Sequence, residues 1–171
     1  MLLGLRLSAI HIISRHVITG LGLVGMGRLS LIHSREDIKK AFKILSTPSP
    51  SPYPILIHCT QGKDRTGLLI LLILLCLYGP DPNPSPDNDA MWIEAIDYDY
   101  TLTNVGLLPV REEMVKEIIE HAGLPVRFAD TEVGFVSELV EYVRGTWGGV
   151  EGYLGSLGLD GEGVVRGLRE S

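Results

Sequence analysis

At its most informative point the chain reads Ile55-Leu56-Ile57-His58-Cys59-Thr60-Gln61-Gly62-Lys63-Asp64-Arg65-Thr66-Gly67. Ile55 to His58 is short, apolar and partly β-branched, and Pro54 precedes it, which predicts a buried strand. From Leu68 to Tyr78 eleven residues are apolar almost without exception, which predicts a helix buried on all sides. The segment between them is a loop of small and charged residues. The unit is therefore strand, loop, helix, and the expected fold class is α/β.

The chemistry of this loop follows from where its residues fall. Cys59 stands at the strand end, with five residues between it and Arg65 and a helix beginning at once. Backbone N–H groups of such a loop can converge on one point at the positive end of the helix dipole, a cup for a tetrahedral dianion. The planar fork of Arg65 matches two phosphate oxygens, a geometry lysine cannot reproduce. The same field favours thiolate over thiol at Cys59 and makes it a nucleophile near neutral pH. Thr66 has a hydroxyl placed to hydrogen-bond the sulfur. A cysteine at a strand end can also be no more than a buried thiol, and a bare Cys-x5-Arg match is weak. The full decapeptide His58 to Gly67 is far more specific.

Outward from this unit, Ser34 stands as a cap before a helix whose apolar stripe is Ile38, Ala41, Phe42 and Leu45, with Asp37 at the capping-box position. Residues 7–33 are apolar, with glycines at 20, 22, 25 and 27, and predict a helix with a break. Ala9 to Ile13 is the best candidate for a further strand, since one strand cannot make a sheet. Pro48, Pro50, Pro52 and Pro54 mark an extended connector, and residues 79–89, with four prolines, a surface loop. Helices are expected over 90–104, 109–122 and 130–145, and short helices in the glycine-rich tail from Gly148. A single domain over residues 1–171 accounts for this length.

Composition narrows the classes. Of 171 residues 45% are hydrophobic and 21% charged, which disfavours disorder, and two cysteines do not make a disulfide scaffold. The net charge of −6 argues against nucleic acid as a partner, yet residues 1–80 carry 9 basic and 3 acidic side chains, a half suited to an anionic ligand. The longest uninterrupted apolar run is eleven residues, short of the roughly 20 needed to span a bilayer, so no transmembrane segment is expected. Arg6, Arg15, Arg28 and Arg35 precede the first acid, Glu36, a profile shared with mitochondrial transit peptides. A basic helical part of a cytoplasmic domain is the plainer reading. Gly20-Leu21-Gly22-Leu23-Val24-Gly25 fits a dinucleotide fingerprint but lacks its acid at the right distance. The histidines show no metal-ligand spacing, and neither metal nor cofactor is expected.

The loop His58 to Gly67 resembles the phosphate-binding loop of the cysteine-dependent protein tyrosine phosphatases. Its Gly62-Lys63-Asp64-Arg65-Thr66-Gly67 ending is similar to that of the atypical bacterial and fungal branch, which includes phosphoinositide phosphatases. Gly25-Met26 through His33-Ser34 with the following Lys-rich helix, Asp99-Tyr100-Thr101-Leu102-Thr103, and Gly148-Gly149-Val150-Glu151-Gly152-Tyr153-Leu154 resemble further stretches of that branch. The resemblance runs from about residue 20 to the end. It implies an α/β domain that hydrolyses phosphomonoesters through a phosphocysteine, without metal. Cys59 would be the nucleophile, Arg65 the phosphate clamp, and Thr60, Gln61, Gly62, Lys63 and Thr66 parts of the cradle. His58 would tune the thiolate, with Asp99 in support. Asp64 is a candidate general acid or, equally, an ion-pair partner of a neighbouring base. The substrate would be a phosphotyrosine protein or a phosphoinositide. The branch normally opens with several strands and an acid-bearing loop, so the chain is expected to be an N-terminally truncated member, and a phosphate-binding remnant without turnover is the rival reading.

Overall fold

A computed structural model describes residues 2–47, 55–79 and 86–170, with the backbone alone for 2–7 and 86–89. The described residues form helices and loops, with no strand among them. In order these are α1 (Leu2–Ile13), α2 (Thr19–His33), α3 (Arg35–Ser46), α4 (Asp64–Tyr78), α5 (Pro86–Gly106), α6 (Arg111–Lys116), α7 (Phe135–Trp147), α8 (Val150–Ser156) and α9 (Gly161–Glu170). A wide helical turn, Ser14–Ile18, joins α1 to α2, and another, Glu117–His121, extends α6.

The α/β expectation is thus corrected. Ala9 to Ile13 lies inside α1, and Ile55 to Cys59 leads into the loop without regular structure. A strand exists only where a neighbour satisfies its backbone N–H and C=O groups, and no second extended segment is described beside this one. Its burial differs as well: Ile55 is 56% and Leu56 82% exposed, because there is no sheet to bury them. The proline connector 48–54 lies outside the described residues, as does part of the 79–89 loop, whose last residues already belong to α5.

Apolar patterning explains the packing. Leu68, Leu71, Leu72 and Leu75 of α4 are buried at the centre, with α2, α8 and α9 against the helix. Phe42 of α3 is fully buried, while Lys39, Lys40 and Lys43 of that helix stay outside the core. Truncating such a phenylalanine to alanine costs about 3–5 kcal/mol. Ser34 makes no side-chain cap; its carbonyl oxygen instead accepts the N–H groups of Asp37 and Ile38. Phe135, Val136, Leu139, Val140 and Val143 give α7 its buried stripe, and the helix itself starts at Phe135, five residues after the expected start at 130. Tyr153 of α8 is fully buried and donates its hydroxyl to Leu31 O at 3.0 Å, joining α8 to α2.

The break in the N-terminal helix falls at Gly22, where φ is +66° and ψ −174°. The two N–H groups after it, on Leu23 and Val24, both donate to the Glu132 carboxylate, Val24 at 3.2 Å. Gly22 therefore starts a fresh helix whose first donors are capped from a distant segment. A Cβ at Gly22 would sit 2.8 Å from Glu132 Oε1. By length and composition the run Ser8–His33 is apolar enough to cross a membrane. Its second half is committed to the core through Leu23, Val24 and Leu31. Gly20 to Gly25 lies within this helix, without the preceding strand that a dinucleotide site requires.

Candidate active site

The loop Cys59 to Lys63 wraps the N-terminus of α4, a fifteen-residue helix with its full dipole. Gly62 turns the chain at φ +67°, a backbone geometry that L side chains rarely adopt, and this turn allows successive N–H groups to point inward. Lys63 then opens α4, its carbonyl accepting the Gly67 N–H at 2.6 Å. The backbone N–H groups of Gln61, Lys63 and Thr66 lie near the Cys59 sulfur and favour its charged form. Thr66 Oγ1 is buried without a hydrogen-bond partner in the resting loop, and its hydroxyl lies near enough to the Cys59 sulfur to favour the thiolate. Burial pushes the Cys59 thiol up, but the Thr66 hydroxyl and the three N–H groups outweigh it and bring the pKa down to about 7. This balance favours the thiolate relative to an ordinary cysteine. Cys76, along α4, is pushed the other way by burial and by Glu151, to about 12, and both cysteines are free.

Around the cradle the remaining loop residues take distinct places. Arg65 is exposed and donates Nη2 to Thr60 Oγ1 at 3.0 Å, so the guanidinium lies beside the loop mouth. His58 directs Nδ1 to the carbonyl oxygen of Cys59 at 3.2 Å. Lys63 is buried, with only 1% exposed. Its ammonium donates to Asp64 Oδ1 at 2.7 Å, Asp130 O at 2.9 Å and Phe128 O at 3.3 Å. That geometry ties the loop to the segment before α7. Asp64 Oδ1 also accepts the Tyr100 hydroxyl at 3.2 Å. Burial, then the Asp64 charge, push the Tyr100 phenol well above its ordinary value, so it stays a donor. Tyr100 stacks on Phe135, with ring centroids 4.6 Å apart. Asp99, its neighbour, is exposed on α5 and is not brought to the loop.

Two clefts meet at Cys59. One, of about 230 Å³, is walled by Met26, Ile118, Leu124, Phe128 and Phe135, with Asp64 and Glu117 as its acids. The other, of about 390 Å³, runs between α3 and α4 past Asp37, Ile38, His58 and Leu69. Cys59, Thr60 and Arg65 border both. Among the described residues no group of three or more His, Cys, Asp or Glu side chains could hold a metal ion.

Tyr100, Glu117 and the Phe128–Asp130 segment are absent from the sequence reading of the site. Tyr100 had a signal: a tyrosine on an otherwise buried helix face needs a partner for its hydroxyl. The backbone carbonyls that hold Lys63 have none, since any residue carries one.

A cysteine beside loop N–H groups at a helix N-terminus, with an arginine six residues on, has the arrangement of an anion cradle. The chain matches the tyrosine phosphatase family over residues 22–170 and belongs to it. The match begins at Gly22, where the N-terminal helix breaks. No curated protein matches the sequence.

Proposed function

We propose that this chain hydrolyses phosphomonoesters by covalent cysteine catalysis, with protein phosphotyrosine as substrate. The observation that carries the reading is the Cys59 sulfur with its pKa near 7 beside three N–H groups at the start of α4. A phosphoryl group entering the cradle would take its non-bridging oxygens to those N–H donors and to the fork of Arg65. The thiolate attacks phosphorus, the leaving oxygen departs with a proton, and a phosphocysteine forms. Water then attacks phosphorus, inorganic phosphate leaves, and the thiolate returns, held again by the Thr66 hydroxyl and the loop N–H groups. Asp64 is assigned the proton donation. Its Oδ1 is engaged by Lys63 and Tyr100, which leaves Oδ2 as the donating oxygen.

The choice of phosphotyrosine over a phosphoinositide rests on Lys63. Its ammonium is directed at Asp64 and two backbone carbonyls, so it adds no free cation for a second headgroup phosphate. The apolar wall of Met26, Leu124, Phe128 and Phe135 suits an aryl ring. A second reading, phosphate binding without turnover, is favoured by that same engagement of Asp64.

The test is turnover of p-nitrophenyl phosphate and of a phosphotyrosine peptide without metal, beside Cys59→Ser and with vanadate. Turnover lost in the variant and blocked by vanadate supports the cysteine mechanism. A folded chain that binds vanadate without turnover supports the second reading. Asp64→Asn should slow phenyl phosphate far more than p-nitrophenyl phosphate, because the poorer leaving group depends more on the proton.

A further inference from the structure

Helix α5 has two unlike faces. Trp92, Ile93 and Ile96 pack against the core and Tyr100 is buried in it. On the other side stand Met91, Ala95, Tyr98, Leu102 and Val105, spaced four, three, four and three. That 3.5-residue repeat draws one stripe along a helix and is the spacing of a helix-pairing seam. Met91 and Tyr98 are each 66% exposed, Leu102 45% and Val105 64%. The stripe is about 21 Å long at 1.5 Å per residue. Single exposed apolar residues are ordinary on a surface, whereas a continuous seam marks an interaction site.

Charge selects what can cover it. Helix α5 carries Asp87, Asp89, Glu94, Asp97 and Asp99 and no basic residue. Two α5 helices laid together would set acid against acid, a juxtaposition that excludes self-pairing of this helix. The complement is an apolar helix without acids, and the chain contains one. From Met1 to Ile18, which takes in α1 and the turn after it, there is no acid, while Arg6, His11, Arg15 and His16 stand there. Within that stretch Ile10, Ile12, Ile13 and Val17 are exposed by 45–61%. His11 of the same helix touches Glu120 O at 3.1 Å, while these four apolar side chains on it and the following turn remain open to water and suited to a partner. This stretch also precedes residue 22, where the family match starts.

We propose that the α5 seam of one copy receives the α1 helix of a second copy, two such pairings about a twofold axis closing a dimer. The acid-free stretch of α1 and its following turn, with Arg6 and Arg15, then lies along acidic α5, and both exposed apolar surfaces are covered together. The contact is independent of the catalytic loop and of the reaction assigned to it.

The experiment is light scattering on the full chain across a concentration series, at low salt and at about 0.5 M salt. A dimer is expected, loosened by salt as exposed charge pairing is screened. Tyr98→Lys on α5 and Ile12→Asp on α1, each alone and each with unchanged far-ultraviolet circular dichroism, should weaken the dimer at least about tenfold. Glu94→Lys should weaken it as well, and turnover should be unchanged in all three. A wild-type chain that stays monomeric overturns the proposal, and so does a dimer indifferent to Tyr98→Lys. A monomer that floats with phosphatidylserine vesicles, and ceases to with Ile12→Asp, overturns it too and gives α1 to a lipid surface.

Discussion

Replacing Lys63 by methionine tests how the loop is held. Methionine keeps most of the length of the side chain and removes the charge and its donors. In the native chain the ammonium is wholly buried, and its partner Asp64 has 27% of its side chain exposed. At 2.7 Å and an effective dielectric of about 20, their attraction is roughly 6 kcal/mol before desolvation is counted. Desolvation of both groups offsets much of that gain in the intact pair, so the pair itself adds little net stability. Removing one partner is a different case. Asp64 keeps the Tyr100 hydroxyl and loses its cation, and the carbonyls of Phe128 and Asp130 lose a donor. The expected cost is about 3–5 kcal/mol, the range for stranding a buried charge. For a chain of this size that lowers the unfolding midpoint by roughly 6–20 °C.

Turnover should fall with it, since Lys63 also supplies one of the N–H groups on the Cys59 sulfur and opens α4. Lys63→Met with Asp64→Asn should recover part of the lost stability, because the stranded charge is gone, but not the turnover. Urea unfolding followed by circular dichroism, run beside p-nitrophenyl phosphate hydrolysis, reads both. A Lys63→Met chain within about 0.5 kcal/mol of wild type would refute the anchoring role, as that is the range of ordinary surface substitutions.

Four further outcomes follow from the geometry. Alkylation of Cys59 by iodoacetamide should rise with pH through a midpoint of about 7, while Cys76, pushed up to about 12, stays unmodified up to pH 9; equal reactivity of the two would contradict the cradle. Since folding lowers the Cys59 pKa, its thiolate contributes stability that is complete above the ordinary thiol value of about 8.5 and is lost as pH falls through 7, a slope that Cys59→Ser should remove from urea midpoints. Tyr100→Phe should cost about 1 kcal/mol of stability in the same assay, the ordinary worth of one hydrogen bond, with a larger loss if Asp64 depends on it. Glu132→Ala should cost about 0.5–2 kcal/mol, as for a lost helix cap, and raise hydrogen exchange at the Leu23 and Val24 amides, with no change at α8.

Helix α4 and its loop were legible because their chemistry is local: an unbroken apolar run, a glycine at the turn, and a cysteine, arginine and threonine at fixed spacing. Helix α3 was legible for the same reason, its apolar stripe having the helical period. The strand at Ile55 was misread because the same apolar residues suit a strand only when a neighbour completes the ladder, and chain-local pattern carries no information about neighbours. Ser34 was misread as a side-chain cap on residue type alone, while the backbone met the need. At Asp64 the sequence left two roles open, and proximity to Lys63 and Tyr100 is what the fold adds.

By itself, then, the sequence determined the candidate nucleophile, the candidate phosphate-binding loop, the family and most helix positions, because these depend on residue identity and on spacing within one or two helical turns. Tertiary structure alone decided that Lys63 faces inward to Asp64 and the Phe128 and Asp130 carbonyls, that Tyr100 rather than Asp99 reaches the loop, and that Glu132 caps the break at Gly22. Each of these joins residues from 36 to 109 positions apart, or turns one side chain away from the face its charge would suggest. Distances of that kind are set by how the helices pack around α4, and no local pattern encodes them.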